Sequence, residues 1–112
     1  MEAFVREYIR QYLDNYVDKF KALGIKDVDS LILFGSQAKG TATISSDVDI
    51  AVVMKSPLDA ASRGSIRCLG EYVNPNIVTN IYFTTSEALE SPQHHFDTNT
   101  YIKKEGIILW QG

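Results

Sequence analysis

Apolar side chains recur at Phe4, Val5, Tyr8, Ile9, Tyr12, Leu13, Tyr16, Val17 and Phe20, which predicts a helix over residues 2–23 with Gly24 as its stop. The aromatic members repeat every four residues rather than every 3.6. Such a stripe rotates by roughly 40° per step and roughly 160° along the helix. One flat surface cannot bury it, so either the helix wraps around its own domain or part of the stripe meets another chain. Tyrosine tolerates a half-exposed position, which favours self-burial.

Beyond the "LGIKDVDS" turn the pattern changes period. "SLILFG" is a short apolar run ending in glycine and reads as a buried strand. "SQAKG" begins a short helix or tight turn. "DVDIAVVMK" alternates at its start and then becomes wholly apolar, as a central strand does. "SPLDAASRGSIRCLGEYV" predicts a helix weakened by Gly64, and "NIVTNIYFTT" a third strand rich in β-branched and aromatic residues. "SEALE" reads as a short capped turn of helix. Residues 94–105 predict a further helix ending at Gly106, before a last apolar stretch, "IILW". The elements describe one domain over residues 1–112, an α+β layer of mixed sheet and helices, without repeats or linkers.

Composition narrows the function classes. A chain of 112 residues supports a single core without staples, and 45% hydrophobic with 22% charged residues is globular and soluble in type. A net charge of −3, without a basic stripe, argues against a nucleic-acid platform. The basic residues from Lys19 to Lys26 and at Lys103-Lys104 are interrupted and read as solvated faces. Cys68 is the single cysteine, so no internal disulfide forms, in keeping with a reducing cytoplasm. It reads as a small buried side chain rather than a catalytic thiol. The first residues are charged and periodic, unlike a signal peptide, and no apolar run is long enough for a membrane span.

One stretch carries chemistry: "FGSQAKGTATISSDVDIAVV", residues 34–53. On a strand, Asp47 and Asp49 project from the same side, about 6 to 7 Å apart at their backbones, with Val48 and Ile50 opposite. Two carboxylates so placed repel each other and cost stability. A divalent cation removes that cost, and hard oxygen ligands with few protein carboxylates suit magnesium, which commonly shares its coordination with substrate phosphates. The preceding turn supplies a matching half. Gly35 lets the backbone approach an anion, Ser36 begins a turn whose N–H groups favour negative charge, and Lys39 or the Gly40 backbone can assist from the rim.

Each piece alone is unspecific: a Gly-Ser pair is usually a turn, and acids at i and i+2 are usually a solvated strand end. Their order is not. "GSQAKGTATISSDVDIAVV" resembles the signature of the polymerase-β-like nucleotidyltransferase superfamily, and most closely its minimal nucleotidyltransferase (MNT) branch. The resemblance covers nearly the whole chain, from the leading helix to the tail "IKKEGIILW". It implies a mixed sheet flanked by helices and Mg2+ dependence. It also implies transfer of a nucleoside monophosphate, AMP if the donor is ATP, from a nucleoside triphosphate to an acceptor hydroxyl. Gly35 and Ser36 would bind triphosphate, while Asp47 and Asp49 would hold metal. Members of the branch often work beside a HEPN-type protein as the antitoxin of a toxin–antitoxin pair. The aromatic stripe of the first helix would suit such a partner, or a second copy of this chain.

The chain departs from the pattern at one position. The family presents a third carboxylate on the next core strand, where "VTNIYFTTSEAL" aligns Asn80. An amide is neutral and cannot accept a proton as a general base. Glu71, Glu105, Asp97 and His94 are candidate stand-ins, although His94 and His95 read better as surface residues. Three readings therefore stand: an active transferase, a module that binds nucleotide or partner without turnover, and, more weakly, a small-molecule transferase of the aminoglycoside type, which usually carries an extra acceptor domain.

Overall fold

Why the first helix forms where it does follows from its burial. In the computed structural model, which describes residues 6–91 and 97–112, α1 spans Glu7–Leu23 and buries Ile9, Tyr12, Leu13, Tyr16 and Phe20. Those positions keep the 3.6-residue period, and the drifting stripe is resolved by leaving Tyr8 44% exposed. Self-burial is thus the outcome over this span; Phe4 and Val5 lie outside the described residues. Gly24 ends the helix in the left-handed region at φ 65°, its N–H returning to the Lys21 carbonyl.

The remaining elements are β1 (Val28–Phe34), α2 (Ser36–Lys39), β2 (Val48–Met54), α3 (Ala60–Val73), β3 (Thr79–Thr85), α4 (Ser86–Glu90), α5 (Thr98–Glu105) and β4 (Ile107–Gln111). The sheet order is β3-β2-β1-β4, with β2 and β3 parallel and the other pairs antiparallel. It is the mixed α+β sheet the sequence predicts. β2 is interior and buried along most of its length, as its apolar run requires. The "IILW" stretch becomes an edge strand.

Several boundaries shift from the sequence expectation, each for a local reason. β1 begins two residues before "SLILFG", and β2 begins at Val48, which leaves Asp47 just outside the strand. α3 starts at Ala60 rather than residue 56, because Asp59 caps it, its carboxylate accepting the Ser62 N–H at 2.7 Å. That bond holds the Asp59 carboxyl below its ordinary pKa. β3 starts at Thr79, three residues late, after a turn in which the Asn76 N–H donates to the Asn74 side chain. α5 begins at Thr98, capped by Asp97, whereas residues 94–96 of the expected helix lie outside the described residues. Cys68 corrects its expectation: it is exposed, because α3 turns Ile66, Leu69 and Gly70 inward and leaves residue 68 on its outer side.

Alternation sorts the strands into two faces. Leu31 and Leu33 of β1, Val48, Ile50 and Val52 of β2, and Ile81 and Phe83 of β3 meet α1 and α3. Tyr16 spans the two helices, its hydroxyl donating to the Ile66 carbonyl at 3.2 Å, and burial pushes its pKa up. The opposite face carries Phe34, Asp49, Ala51, Asn80, Tyr82 and Thr84, with α5 packed over part of it. Among the described residues no helix is long and apolar enough to cross a membrane.

Candidate active site

Register brings the separate pieces of the signature together. Phe34, the last residue of β1, pairs with Asp49, and Asp49 pairs across the parallel ladder with Asn80. The chain leaving β1 must therefore turn beside Asp49, and Gly35 makes that turn at φ 74°, ψ −158°, a conformation open essentially to glycine. A Cβ on Gly35 would overlap Asp49 Oδ2, so the backbone here approaches the carboxylate as closely as the chain allows. The spatial link between glycine turn and acid pair is made by this contact.

Ser36 opens α2, a single turn. The amides of Ala38 and Lys39 bond the Gly35 carbonyl, and those of Ser36 and Gln37 precede the first bond of the turn. Gly40 closes it in the left-handed region at φ 78°, with its N–H on the Ser36 carbonyl. Gln37 is buried, and its Nε2 donates to the Ser46 carbonyl at 3.4 Å, which ties α2 to the loop entering β2. Within that loop the Thr43 N–H donates to Ser46 Oγ at 2.8 Å, and Arg6 reaches the Ala42 carbonyl at 2.9 Å. These contacts set the position of Asp47. A cleft of about 110 Å3 lined by Tyr8, Ile44, Asn76 and Val78 shares Asp47 as a wall.

Asp47, although just outside β2, projects to the same side as Asp49, since one side chain reaches both carboxylates. Asn80 Nδ2 donates to Asp47 Oδ2 at 3.2 Å and to Asp49 Oδ1 at 3.0 Å. The amide must present its NH2 group, because its oxygen would otherwise face two carboxylates. Asn80 thus sits beside the acid pair and meets it as a donor. Asp47 and Asn80 are exposed and Asp49 is half-buried, so the cluster opens to solvent.

Lys39 and the stand-in bases lie in other contacts. Lys39 Nζ pairs with Glu105 Oε2 at 3.5 Å, which bridges α2 to the end of α5. Asp97 caps α5, accepting from the Asn99 N–H and Nδ2 at 2.9 Å each. Glu71 is exposed on α3 and lines a groove with Gly70, Pro75 and Thr79. His94 and His95 lie outside the described residues. Sequence reasoning passed over Gln37, Ser46 and Arg6, for which no local pattern gives a signal: each acts through a distant backbone carbonyl or a loop.

Two convergent carboxylates beside a close-approaching backbone fit one hard divalent cation of the magnesium type. Among the described residues no group of three or more His, Cys, Asp or Glu side chains converges, so a site of three acidic ligands is not built here.

Comparison with known proteins agrees with this geometry. The nucleotidyltransferase domain family matches residues 13–108, which takes in every residue of the cluster. No curated protein matches the sequence. Among solved structures, a toxin–antitoxin crystal structure with AMP-PNP superposes with a TM-score of 0.63 at 23% identity, covering 88% of this chain and 73% of that one. A tri-AMPylated Shewanella oneidensis HEPN toxin in complex with MNT antitoxin gives 0.57 at 20% identity, covering 91% and 72%. A putative nucleotidyltransferase from Sulfolobus solfataricus gives 0.55 at 16%, covering 99% and 89%. At these identities the likeness is one of fold. The chain belongs to the nucleotidyltransferase domain family.

Proposed function

We propose that this protein is a Mg2+-dependent minimal nucleotidyltransferase. It moves a nucleoside monophosphate, AMP from ATP, to an acceptor hydroxyl on a HEPN-type partner, as the antitoxin of a toxin–antitoxin pair. The hydroxyl oxygen bonds the α-phosphorus, the α–β phosphoanhydride bond breaks and pyrophosphate leaves. The observation that carries the reading is the meeting of the Gly35 turn with Asp49, while Asp47 and Asn80 converge on the same point. The partner and the nucleotide are supported by relatives of the same fold that are described with AMP-PNP and with an AMPylated HEPN toxin.

In this reading Asp47 and Asp49 hold the cation, which when bound offsets phosphate charge and polarises the reacting phosphorus centre. The Gly35 backbone and the Ser36 hydroxyl receive the triphosphate, with the Gly40 backbone at the rim. Lys39 reaches phosphate only by leaving Glu105. The half-buried Asp49 lies on the inner side of the site and the exposed Asp47 on its solvent side. Alignment and charge neutralisation then supply most of the rate, as phosphoryl and nucleotidyl transfer require.

A second reading, a module that binds nucleotide or partner without turnover, is favoured by one observation. Asn80 presents a neutral donor to the acid pair and cannot take the acceptor's proton. The test incubates the protein with α-labelled ATP, Mg2+ and the protein encoded beside it, in wild type and Asp49→Ala. Label on the partner that disappears in the variant supports the transferase. Nucleotide binding without label transfer supports the module. Asn80→Asp is expected to raise transfer, and an unchanged or lower rate removes the missing carboxylate as the limit.

A further inference from the structure

We propose that Asn80 is a neutral hydrogen-bond clamp on the acid pair. Its NH2 group clamps Asp47 and Asp49 together in the cation-free protein, and a divalent cation binds by displacing that clamp. The proposal rests on the metal-dependent reading above and adds a positioning role for one residue.

The geometry points to it in three ways. The two hydrogens of one amide serve one carboxylate each, at 3.2 and 3.0 Å, so Asn80 bridges the acids rather than bonding either alone. Lys39, on the turn that follows Gly35, pairs with Glu105, and none of the ion pairs among the described residues includes Asp47 or Asp49. Asn80 stands on an edge strand with an exposed side chain, so its amide turns over without disturbing packing. The N–H dipoles that attract two carboxylates repel a cation placed between them. Binding must therefore break these bonds, and a turned amide can then offer its oxygen. An aspartate at the same position would lack any donor, leaving three acids to repel one another until metal arrived. Asparagine thus yields a stable empty site in exchange for weaker cation binding.

The experiment uses the full chain labelled with 15N and 13C, with the Asn80 side-chain amide assigned by its loss in Asn80→Ala and the Asp49 carboxylate carbon by its loss in Asp49→Ala. In EDTA that amide pair should be hydrogen-bonded and slow to exchange, and Mg2+ should shift it in step with the Asp49 carboxylate. Thermal unfolding supplies a second readout. In EDTA, Asn80→Ala should melt about 3 °C below wild type. Asn80→Asp should melt lower still, and it should gain more from saturating Mg2+ than wild type does. The proposal is overturned if Asn80→Asp matches wild type in EDTA, or if Mg2+ moves the Asp49 carboxylate and leaves the Asn80 amide unchanged. Should Mg2+ move neither, the metal-dependent reading itself fails, and the exchange with it.

Discussion

The two faces of the sheet are built on different rules. Beneath α1 and α3, Leu13, Leu31, Leu33, Ile50, Val52 and Ile66 are sealed among one another, and the aromatic side chains of Tyr16 and Phe20 complete the layer. The other face buries Ala51, Val53 and Ile102, but it also buries Ser30, Thr84 and Asn99. Thr84 Oγ1 donates to Asn99 Oδ1, and Asn99 Nδ2 donates to the Tyr82 hydroxyl at 3.3 Å and to Asp97 at 2.9 Å. Every such atom is satisfied: no buried side-chain donor or acceptor lacks a partner among the described residues. The difference teaches where stability and chemistry are kept apart. One face holds the fold by apolar area, while the other carries both the polar network around Asn99 and, separately, the solvent-facing cluster of Asp47, Asp49 and Asn80.

Breaking each face should therefore read out differently. Leu13→Ala empties a fully enclosed position and should cost about 3 kcal/mol in urea unfolding, with cation binding per folded molecule unchanged. A comparable loss of cation binding would mean the faces are coupled. Asn99→Ala strands the Thr84 and Tyr82 hydroxyls and should cost about 2 kcal/mol, while transfer falls because α5 loosens over the site face. Unaltered stability would show that water replaces the network.

Smaller effects sharpen the contrast. Tyr16→Phe removes the bond to the Ile66 carbonyl and should cost about 1 kcal/mol. Because burial raises the Tyr16 pKa above its ordinary value of 10.0, the folded state favours the protonated phenol. Wild-type stability should be flat below that value and fall above it, as the unfolded chain ionises and the fold cannot. Tyr16→Phe should lessen that alkaline fall. The Asp59 cap has the opposite sign. Its folded pKa lies below the unfolded 3.8, so its contribution is present above 3.8 and disappears as pH drops through the folded value. Asp59→Ala should lower Tm at neutral pH and match wild type in strong acid.

Much of this contrast was legible in the sequence. The helical period of Ile9 to Phe20 and the apolar run of "DVDIAVVMK" fix the packed face, because burial acts on every turn and every second residue. Gly35 and the spacing of Asp47 and Asp49 announce the site, since few other constraints produce a Gly-Ser turn before alternating acids. Long-range partners were not legible. The Lys39–Glu105 pair joins positions 66 residues apart, and the Gln37 bond to Ser46 depends on how a loop folds back. Cys68 was misread because cysteine is usually buried, whereas its helix phase places it outward, one step from Leu69. Asn80 is legible as a residue of the strand that follows the acid pair, but its donor contact with both acids requires the register of β2 against β3.

The account turns on Asp47 and Asp49 acting as one cation site beside the Gly35 turn. Titrating Mn2+, as a spectroscopic substitute for Mg2+, into wild type and Asp49→Asn tests it most directly. Wild type should bind a single ion, more tightly with ATP present, and Asp49→Asn should lose that binding while melting no lower than wild type in EDTA. Equal Mn2+ binding by both proteins would contradict the account.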